Sequence, residues 1–226
     1  MRAAIAFMFM MTACHLGPVS AQEKGADPLT VGKNLPSTFH PFNINEAVPP
    51  PVEETDEGTG KSKAPLEVHN TKHKFHCLIS EYAFNPTVML LARGLEDNAE
   101  LKDLLKKLDA AIERNRRQIP LRAFVVFLYD DTKNLTEDDV KRARITSRLD
   151  RLAEELNLKN VVIAASATAD LEKYKLNEAD ALTAVLYNRL KIGGVLRFAS
   201  DKLAEKDSPA VASILAEVQA KFKTRK

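Results

Sequence analysis

The sequence of 226 residues has no tryptophan, only eight glycines and only two cysteines, Cys14 and Cys77. Two cysteines are too few for a small scaffold held together by disulfides or for an all-cysteine zinc site. The 33 lysines and arginines nearly balance the 31 aspartates and glutamates. The chain therefore lacks the positive excess typical of nucleic-acid binding, and we expect no nucleic-acid partner. With 45% hydrophobic and 28% charged residues, the composition is that of a globular protein.

The first 21 residues have the pattern of a secretory signal peptide. Arg2 supplies a positive start, residues 3–13 form an uncharged apolar run, and Val19-Ser20-Ala21 places small residues where a signal peptidase cleaves. The apolar run is too short to cross a hydrocarbon core of roughly 30 Å as a stable helix, so we expect no transmembrane anchor after cleavage. The sequence therefore predicts an exported protein, periplasmic or secreted, with Cys77 as its one thiol.

A second interpretation of the same region stays open. Met11-Thr12-Ala13-Cys14 loosely resembles a bacterial lipobox, in which case Cys14 would carry a lipid and anchor the protein. With either processing route Cys77 has no cysteine partner in the chain. It therefore cannot close an internal disulfide in an oxidising compartment.

Proline is concentrated near the start of the chain, where seven of the 11 prolines lie between residues 28 and 65. Proline removes a backbone donor and fixes φ, so this part favours neither a regular helix nor a central strand. Residues 22–46 are predicted to be an N-terminal segment in which residues 39–44 form a short edge strand. Residues 47–72 are rich in proline and acidic side chains and have little to bury, which predicts a disordered or extended insertion.

From Thr87 onward the sequence alternates between strand and helix patterns. Apolar runs of strand length occupy residues 87–92, 121–128, 161–164, 182–187 and 192–198. Apolar residues spaced by three and four predict helices after Gly94, Thr136 and Ser208. Thr136 and Asp139 resemble a capping box, and the helix that they open is predicted to turn four residues towards the core: Val140, Leu149, Leu152 and Leu156.

The order of these elements predicts the fold class. Strands joined by long crossovers run parallel, whereas two strands joined by a short turn run antiparallel. The sequence therefore predicts an α/β fold with a mixed β-sheet and helices on both faces. This order fits a thioredoxin-like domain over residues 73–224.

Several stretches resemble the extracytoplasmic redoxin-like proteins of bacteria, within the thioredoxin-like superfamily. Residues 31–36 (Val-Gly-Lys-Asn-Leu-Pro) followed by Phe39 are similar to the opening of redoxin domains. Residues 77–89 are similar to a family stretch in which a Cys-x-x-Cys pair and a tyrosine precede a strand led by proline, and residues 123–126 and 181–187 also match. The resemblance implies thiol–disulfide exchange with a protein thiol or disulfide as partner.

Three departures from the family pattern bear on that activity. Ser80 stands where the second cysteine would be, and Ala181-Leu182 lacks the proline that thioredoxins place before the strand facing the redox pair. Cys77 also precedes the strand at Thr87, whereas a standard thioredoxin carries its cysteines after the first long strand, here Gly94 to Asn98. The resemblance thus implies Cys77 and Ser80 as catalytic residues, with redox activity reduced to that of a monothiol or lost.

Ser80 cannot replace the missing thiol, because turnover needs a second sulfur that resolves the mixed disulfide. Its hydroxyl can still donate a hydrogen bond to a Cys77 thiolate. Cationic residues precede Cys77 and would favour the thiolate: Lys72, His73, Lys74 and His76. The competing interpretation is that Cys77 is a small buried hydrophobe in a domain that has lost redox activity and serves as a non-enzymatic binding module.

A metal-binding protein is a further alternative. His69, His73, His76 and Cys77 offer imidazole and thiolate ligands that suit zinc or copper. Their spacing would bring them together on one helix face, yet the residues after Pro65 favour extended structure. We therefore predict no bound metal at this cluster.

A basic stretch and a glycine pair complete the candidate motifs. Residues 141–144 (Lys-Arg-Ala-Arg) with Arg148 and Arg151 are surrounded by acidic residues, which favours a solvated helix face over a phosphate-binding stripe. Gly193-Gly194 lacks the other glycines of a nucleotide-binding fingerprint, so we predict no cofactor. The sequence indicates no oligomeric state.

Overall fold

The computed structural model describes residues 27–47, 70–131, 135–204 and 208–222. The predicted signal peptide, Cys14, His69 and nearly all of the predicted insertion lie outside these ranges. Within them, six strands form one sheet in the order β1-β4-β3-β2-β5-β6. The strands are β1 (Phe42–Asn43), β2 (Thr87–Arg93), β3 (Arg122–Tyr129), β4 (Val161–Ala167), β5 (Leu182–Asn188) and β6 (Lys191–Phe198).

Strand directions follow the lengths of the connections. β2, β3 and β4 run parallel, since a helix and its loops separate each from the next. β5 returns antiparallel beside β2, and β6 pairs antiparallel with β5. β1 lies at the opposite edge, antiparallel to β4, where the sequence predicts a short edge strand. The prediction of an α/β, thioredoxin-like mixed sheet is confirmed.

The helices are α1 (Leu78–Glu81), α2 (Ala99–Asn115), α3 (Asp139–Leu156) and α4 (Pro209–Lys221), with 3₁₀ turns at Thr168–Tyr174 and Ser200–Leu203. The three long helices cover one side of the sheet, which we call the first face. Their apolar residues form one buried cluster with alternate residues of the strands, such as Leu90 and Val125. The chain steps from β2 to β3 to β4 in one direction, so right-handed crossovers place α2 and α3 on the same side.

The other side of the sheet, the second face, has a less regular cover. Its buried cluster combines Met89 and Phe124 of the strands with Leu78 and Ile79 of α1 and with the 3₁₀ turn Thr168–Tyr174. Leu29 and Phe39 of the N-terminal segment belong to the same cluster. Helical segments thus lie on both faces, as predicted, and the long ones share one of them.

The start of α3 differs from the prediction. Asp138 caps this helix by accepting the backbone N–H of Lys141 at 2.8 Å. The predicted capping box of Thr136 and Asp139 is therefore wrong, because Asp139 is already the first helical residue. Val140 is 66% exposed, so its predicted place in the core is wrong as well. The remaining predicted core residues of α3 are buried, and Ile145 joins them.

The β5–β6 hairpin is closed by Arg189 and Leu190, whose φ values are 50° and 63°. Positive φ at both central residues is the geometry of a type I′ turn, whose twist matches that of the flanking strands. Neither residue is the glycine or asparagine that is usual in such a turn. The hairpin is therefore predictable from its two strand patterns and not from the turn residues. Gly194 pairs with Leu186 and Ile192 pairs with Tyr187, which leaves Gly193 as the extra residue of a bulge.

None of the helices in the described ranges combines the length and the apolar character needed to cross a membrane.

Candidate thiol site

Cys77 is the N-cap residue that directly precedes the short helix α1. Phe75, two residues before it, bridges to Phe42 of β1. Cys77 itself has an extended backbone, with φ −86° and ψ 92°, as expected of a helix-capping residue. The helix ends after four residues, and Pro86 then leads into β2. The residue before a proline disfavours helical geometry. Pro86 therefore favours an end to the helix before the strand begins.

The Cys77 sulfur accepts two hydrogen bonds from Ser80. The backbone N–H of Ser80 lies 3.4 Å from Sγ, and the Ser80 hydroxyl lies 3.1 Å from it. The structure therefore brings together the two residues that the sequence singles out. Cys77 is 7% exposed and Ser80 is exposed, so the sulfur lies just beneath a hydroxyl that solvent reaches.

Two buried tyrosines accompany Cys77 on the second face. Burial raises the pKa of Tyr174 and of Tyr187 far above 10.0, and the nearby Cys77 charge raises both further. The Tyr174 hydroxyl donates to the carbonyl oxygen of Ser37 at 2.6 Å. The Tyr187 hydroxyl is buried beside Thr87, which lowers the pKa of this tyrosine, but has no well-formed hydrogen bond with a described residue. Neither tyrosine was predicted as part of this site, since neither lies near Cys77 in sequence.

Three of the four basic residues before Cys77 have other side-chain partners. His76 Nε2 lies 2.9 Å from a carboxylate oxygen of Glu81, and His73 Nε2 lies 2.9 Å from Asp150 Oδ1. Lys74 Nζ donates to the carbonyl oxygen of Asn70 at 2.9 Å. The donors that reach the sulfur come instead from Ser80.

The histidines also do not converge. His73 stacks on the ring of Phe42 with 6.3 Å between ring centroids, and each described histidine of the predicted cluster pairs with its own carboxylate. Over the described residues, no group of three or more histidines, cysteines, aspartates and glutamates is arranged to hold a metal ion. His69 lies outside the described residues. The positions of the described histidines give the metal alternative no support.

The site differs in place from the usual thioredoxin arrangement. Cys77 precedes β2, whereas the carboxyl end of β2 leads through Gly94 to Asn98, which caps α2 by accepting the N–H of Leu101 at 2.8 Å. The position that a thioredoxin uses for sulfur chemistry thus carries an asparagine cap. Chemically, the arrangement at Cys77 offers one nucleophilic atom with two donors directed at it, and the described residues supply no second thiol.

No protein-family model and no curated protein matches the sequence. Among solved structures, the chain is similar to a thiol peroxidase from Chromobacterium violaceum at 14% identity, over 84% of this chain and 88% of that one, with a TM-score of 0.45. Reduced Prx3 from Vibrio vulnificus matches at 13% identity, over 63% and 87%, with a TM-score of 0.41. At such identities and scores, the assignment of the fold rests on the strand order and directions described above.

Proposed function

We propose that this chain is an exported thioredoxin-like domain, related to thiol–disulfide oxidoreductases, in which Cys77 acts as a monothiol. The observation that carries the proposal is the pair of hydrogen bonds from Ser80 to the Cys77 sulfur. A cysteine that only fills space needs no donors, whereas N–H and O–H groups directed at sulfur stabilise its thiolate. Ser80 thus supports the nucleophile and cannot resolve its product.

The reaction of such a site is a single thiol–disulfide exchange. The Cys77 thiolate attacks one sulfur of a partner disulfide, so that a new S–S bond forms to Cys77 and the partner's other sulfur leaves as a thiolate. Cys77 is oxidised to the mixed disulfide, and the leaving sulfur is reduced and takes up a proton. Release requires an external thiol, which attacks the mixed disulfide and regenerates the Cys77 thiolate. We therefore expect turnover only when such a thiol is supplied.

The test is the formation of a mixed disulfide with an aromatic disulfide reagent, followed by mass spectrometry in a Cys14→Ser background. We expect one adduct at residue 77 in the native protein and none in Cys77→Ala. Ser80→Ala should slow the reaction, because the thiolate loses its hydroxyl donor. Ser213→Ala, which changes an exposed serine on α4, is the matched control and should react at the original rate.

A gain of function sharpens the same test. Ser80→Cys should form an internal disulfide, because the Ser80 hydroxyl oxygen already lies 3.1 Å from the Cys77 sulfur. That variant should lose the adduct and turn over a disulfide substrate. The monothiol proposal fails if the native thiol reacts only after denaturant is added.

The burial of Cys77 favours a second candidate function, that of a non-enzymatic binding module. At 7% exposure, and with His73 and His76 each beside a carboxylate, Cys77 also suits a domain that holds a partner without sulfur chemistry. In that case the native thiol stays unreactive and Cys77→Ala leaves partner binding unchanged. Turnover of a disulfide substrate that Cys77→Ala abolishes would count against the binding module.

Export rests on the pattern of residues 1–21. The test is the N-terminus of the protein recovered from fractionated bacterial cells. Cleavage before Gln22 in the periplasm or medium supports a signal peptide, and a lipid-modified N-terminus at Cys14 supports the lipoprotein alternative. An uncleaved chain in the cytoplasm contradicts both.

A further inference from the structure

A cleft of ≈ 510 Å³ opens at the carboxyl ends of β2 and β3, on the side that α3 borders. Its volume is that of a pocket for a small molecule. Gly94 and Glu96, just after β2, and Leu128 and Tyr129 of β3 line one side, and Ile145 of α3 lines the other. The carboxyl ends of parallel strands are where α/β sheets bind ligands, so the place and the size of this cleft both suit a binding site.

A buried carboxylate lies in this cleft. Glu96 is 6% exposed, and it accepts a hydrogen bond from the Tyr129 hydroxyl at 2.8 Å. The Arg148 guanidinium pairs with the same carboxylate. Burial and the Glu96 charge raise the pKa of Tyr129 well above 10.0, so this phenol remains a donor at neutral pH. Glu96 is therefore neutralised from two sides and does not repel an incoming anion as a free carboxylate would.

The two other carboxylates of the cleft are paired as well. Asp131 Oδ2 lies 2.6 Å from Lys141 Nζ, and Asp130 Oδ1 lies 2.6 Å from an Arg93 nitrogen. The pairing with Lys141 lowers the pKa of Asp131. Every acidic side chain that lines the cleft is thus already opposite a cation.

Two arginines remain without an acidic partner. Arg144 lines the cleft, and Arg151 lines an adjoining depression of ≈ 450 Å³ that Arg144 and Ser147 also border. Neither arginine forms an ion pair with a carboxylate of the described residues. Residues 144, 148 and 151 are spaced by four and three, so they follow one side of α3. The cleft and the depression therefore share a row of guanidinium groups whose two ends have no carboxylate partner in the part of the chain that the structure describes.

We propose that this cleft binds a small oxyanion, a phosphate or carboxylate group, through Arg144 and Arg151. A guanidinium presents a planar fork of donors that matches both groups in a bidentate manner. Tyr129, Glu96 and Arg148 form a fixed wall beside the row, and Ser147 adds a hydroxyl. The site lies on the first-face side of the sheet, away from Cys77, so the proposal is independent of the thiol chemistry.

The test is a titration of the full chain with inorganic phosphate and, separately, with citrate at constant ionic strength, followed by calorimetry and amide chemical shifts. We expect saturable binding of at least one of them, with the largest shifts at residues 144–151. The double variant Arg144→Gln/Arg151→Gln should weaken the binding by about tenfold or more, because each charge-assisted pair is lost. Saturation by phosphate alone identifies a phosphate site, and saturation by citrate identifies a carboxylate site.

Arg114→Gln provides the control, because Arg114 is an exposed arginine of α2 that does not line the cleft. It should bind like the wild type. Arg144 and Arg151 are exposed, so the double variant should keep its melting temperature without ligand. The proposal is overturned if neither anion binds saturably, or if Arg114→Gln weakens the binding as much as the double variant does.

Discussion

The two faces of the sheet are covered in different ways. On the first face, three long amphipathic helices bury leucine, isoleucine and valine side chains in one cluster. On the second face, a helix of four residues, a 3₁₀ turn and the N-terminal segment supply the cover. The second cluster also holds Cys77 and three of the chain's four tyrosines. The second cluster thus combines a thiol and phenol groups with its apolar side chains, whereas the first cluster consists of apolar side chains.

This difference separates stability from chemistry. A helix face that packs on a sheet repeats apolar side chains every three or four residues. A short cap or turn ends in backbone donors and acceptors that need partners, and a polar side chain can supply them. The second face therefore holds the candidate nucleophile and its donors, and the first face contributes most of the apolar burial.

We expect the largest loss of stability from Leu104→Ala, which alters the first face. Leu104 is 0% exposed in the first-face cluster, so its truncation leaves a cavity and should cost about 2–5 kcal/mol of unfolding free energy. Denaturant unfolding measures the loss. Val140→Ala, at a helical residue that is 66% exposed, should change the unfolding free energy by less than about 0.5 kcal/mol. Equal effects of the two variants would contradict the described helix face.

The next largest effect should come from alkaline pH, which we expect to lower the stability of the protein through the tyrosines of the second face. Burial raises the pKa of Tyr82, Tyr174 and Tyr187 above the ordinary value of 10.0. Above pH 10 the unfolded chain releases phenolic protons that the folded chain keeps, so stability is intact below pH 10 and falls as the pH rises further. Each such tyrosine contributes up to about 1.4 kcal/mol per pH unit.

Absorbance of tyrosinate and far-ultraviolet circular dichroism, followed together from pH 8 to pH 12, measure this effect. We expect ionisation of the buried phenols to coincide with the loss of secondary structure. Ionisation of all four tyrosines near pH 10 with the dichroism unchanged would contradict the burial of the second face.

A smaller effect should follow from Ser208→Ala, which removes the cap of α4. The Ser208 hydroxyl accepts the N–H of Ala210 at 3.1 Å, and loss of such a cap costs about 1 kcal/mol. Thermal or denaturant unfolding measures it. Ser213→Ala on the same helix is the control and should be neutral or slightly stabilising, because alanine has the higher helix propensity.

The smallest expected difference is in unfolding free energy between two variants that each remove a tyrosine hydroxyl from the second face. Tyr174→Phe removes the hydrogen bond to Ser37 and should cost about 0.5–1.5 kcal/mol. Tyr187→Phe removes a buried hydroxyl without a partner in the described structure, so it should be neutral or stabilising. If Tyr187→Phe proves the more damaging in denaturant unfolding, its hydroxyl has a partner that this structure does not show.

The regular elements were predictable, since apolar periodicity is a local property of the chain. β2, β3, β5 and β6 lie within a residue or two of their predicted ranges. For β2, β3 and β5 the reason is that a buried strand is apolar along most of its length. The cap of α3 was not predicted correctly, because Thr136, Asp138 and Asp139 are all good capping residues and spacing alone does not choose among them. Val140 was misplaced although the spacing excludes it, because at 3.6 residues per turn Val140 lies about two and a half turns before Leu149 and so on the opposite side of the helix.

The candidate sites were less predictable. The contact between Cys77 and Ser80 follows from a spacing of three at a helix start, which the sequence shows. The partners of His73, Arg148 and Lys141 could not be predicted, because Asp150, Glu96 and Asp131 approach them only in the folded chain. The arginine row reads in sequence as a solvated face, and the fold places its inner side against a cleft.

The order of strands and helices, the parallel and antiparallel connections and the single candidate thiol were determined by the sequence itself, because each depends on residues close together along the chain. The tertiary structure decided that α2, α3 and α4 share a face, that His73 and His76 lie beside carboxylates, and that Arg144 and Arg151 form no ion pair with a described carboxylate. Those outcomes depend on distances between residues far apart in sequence, which are set only when the sheet closes its register and the helices pack on it.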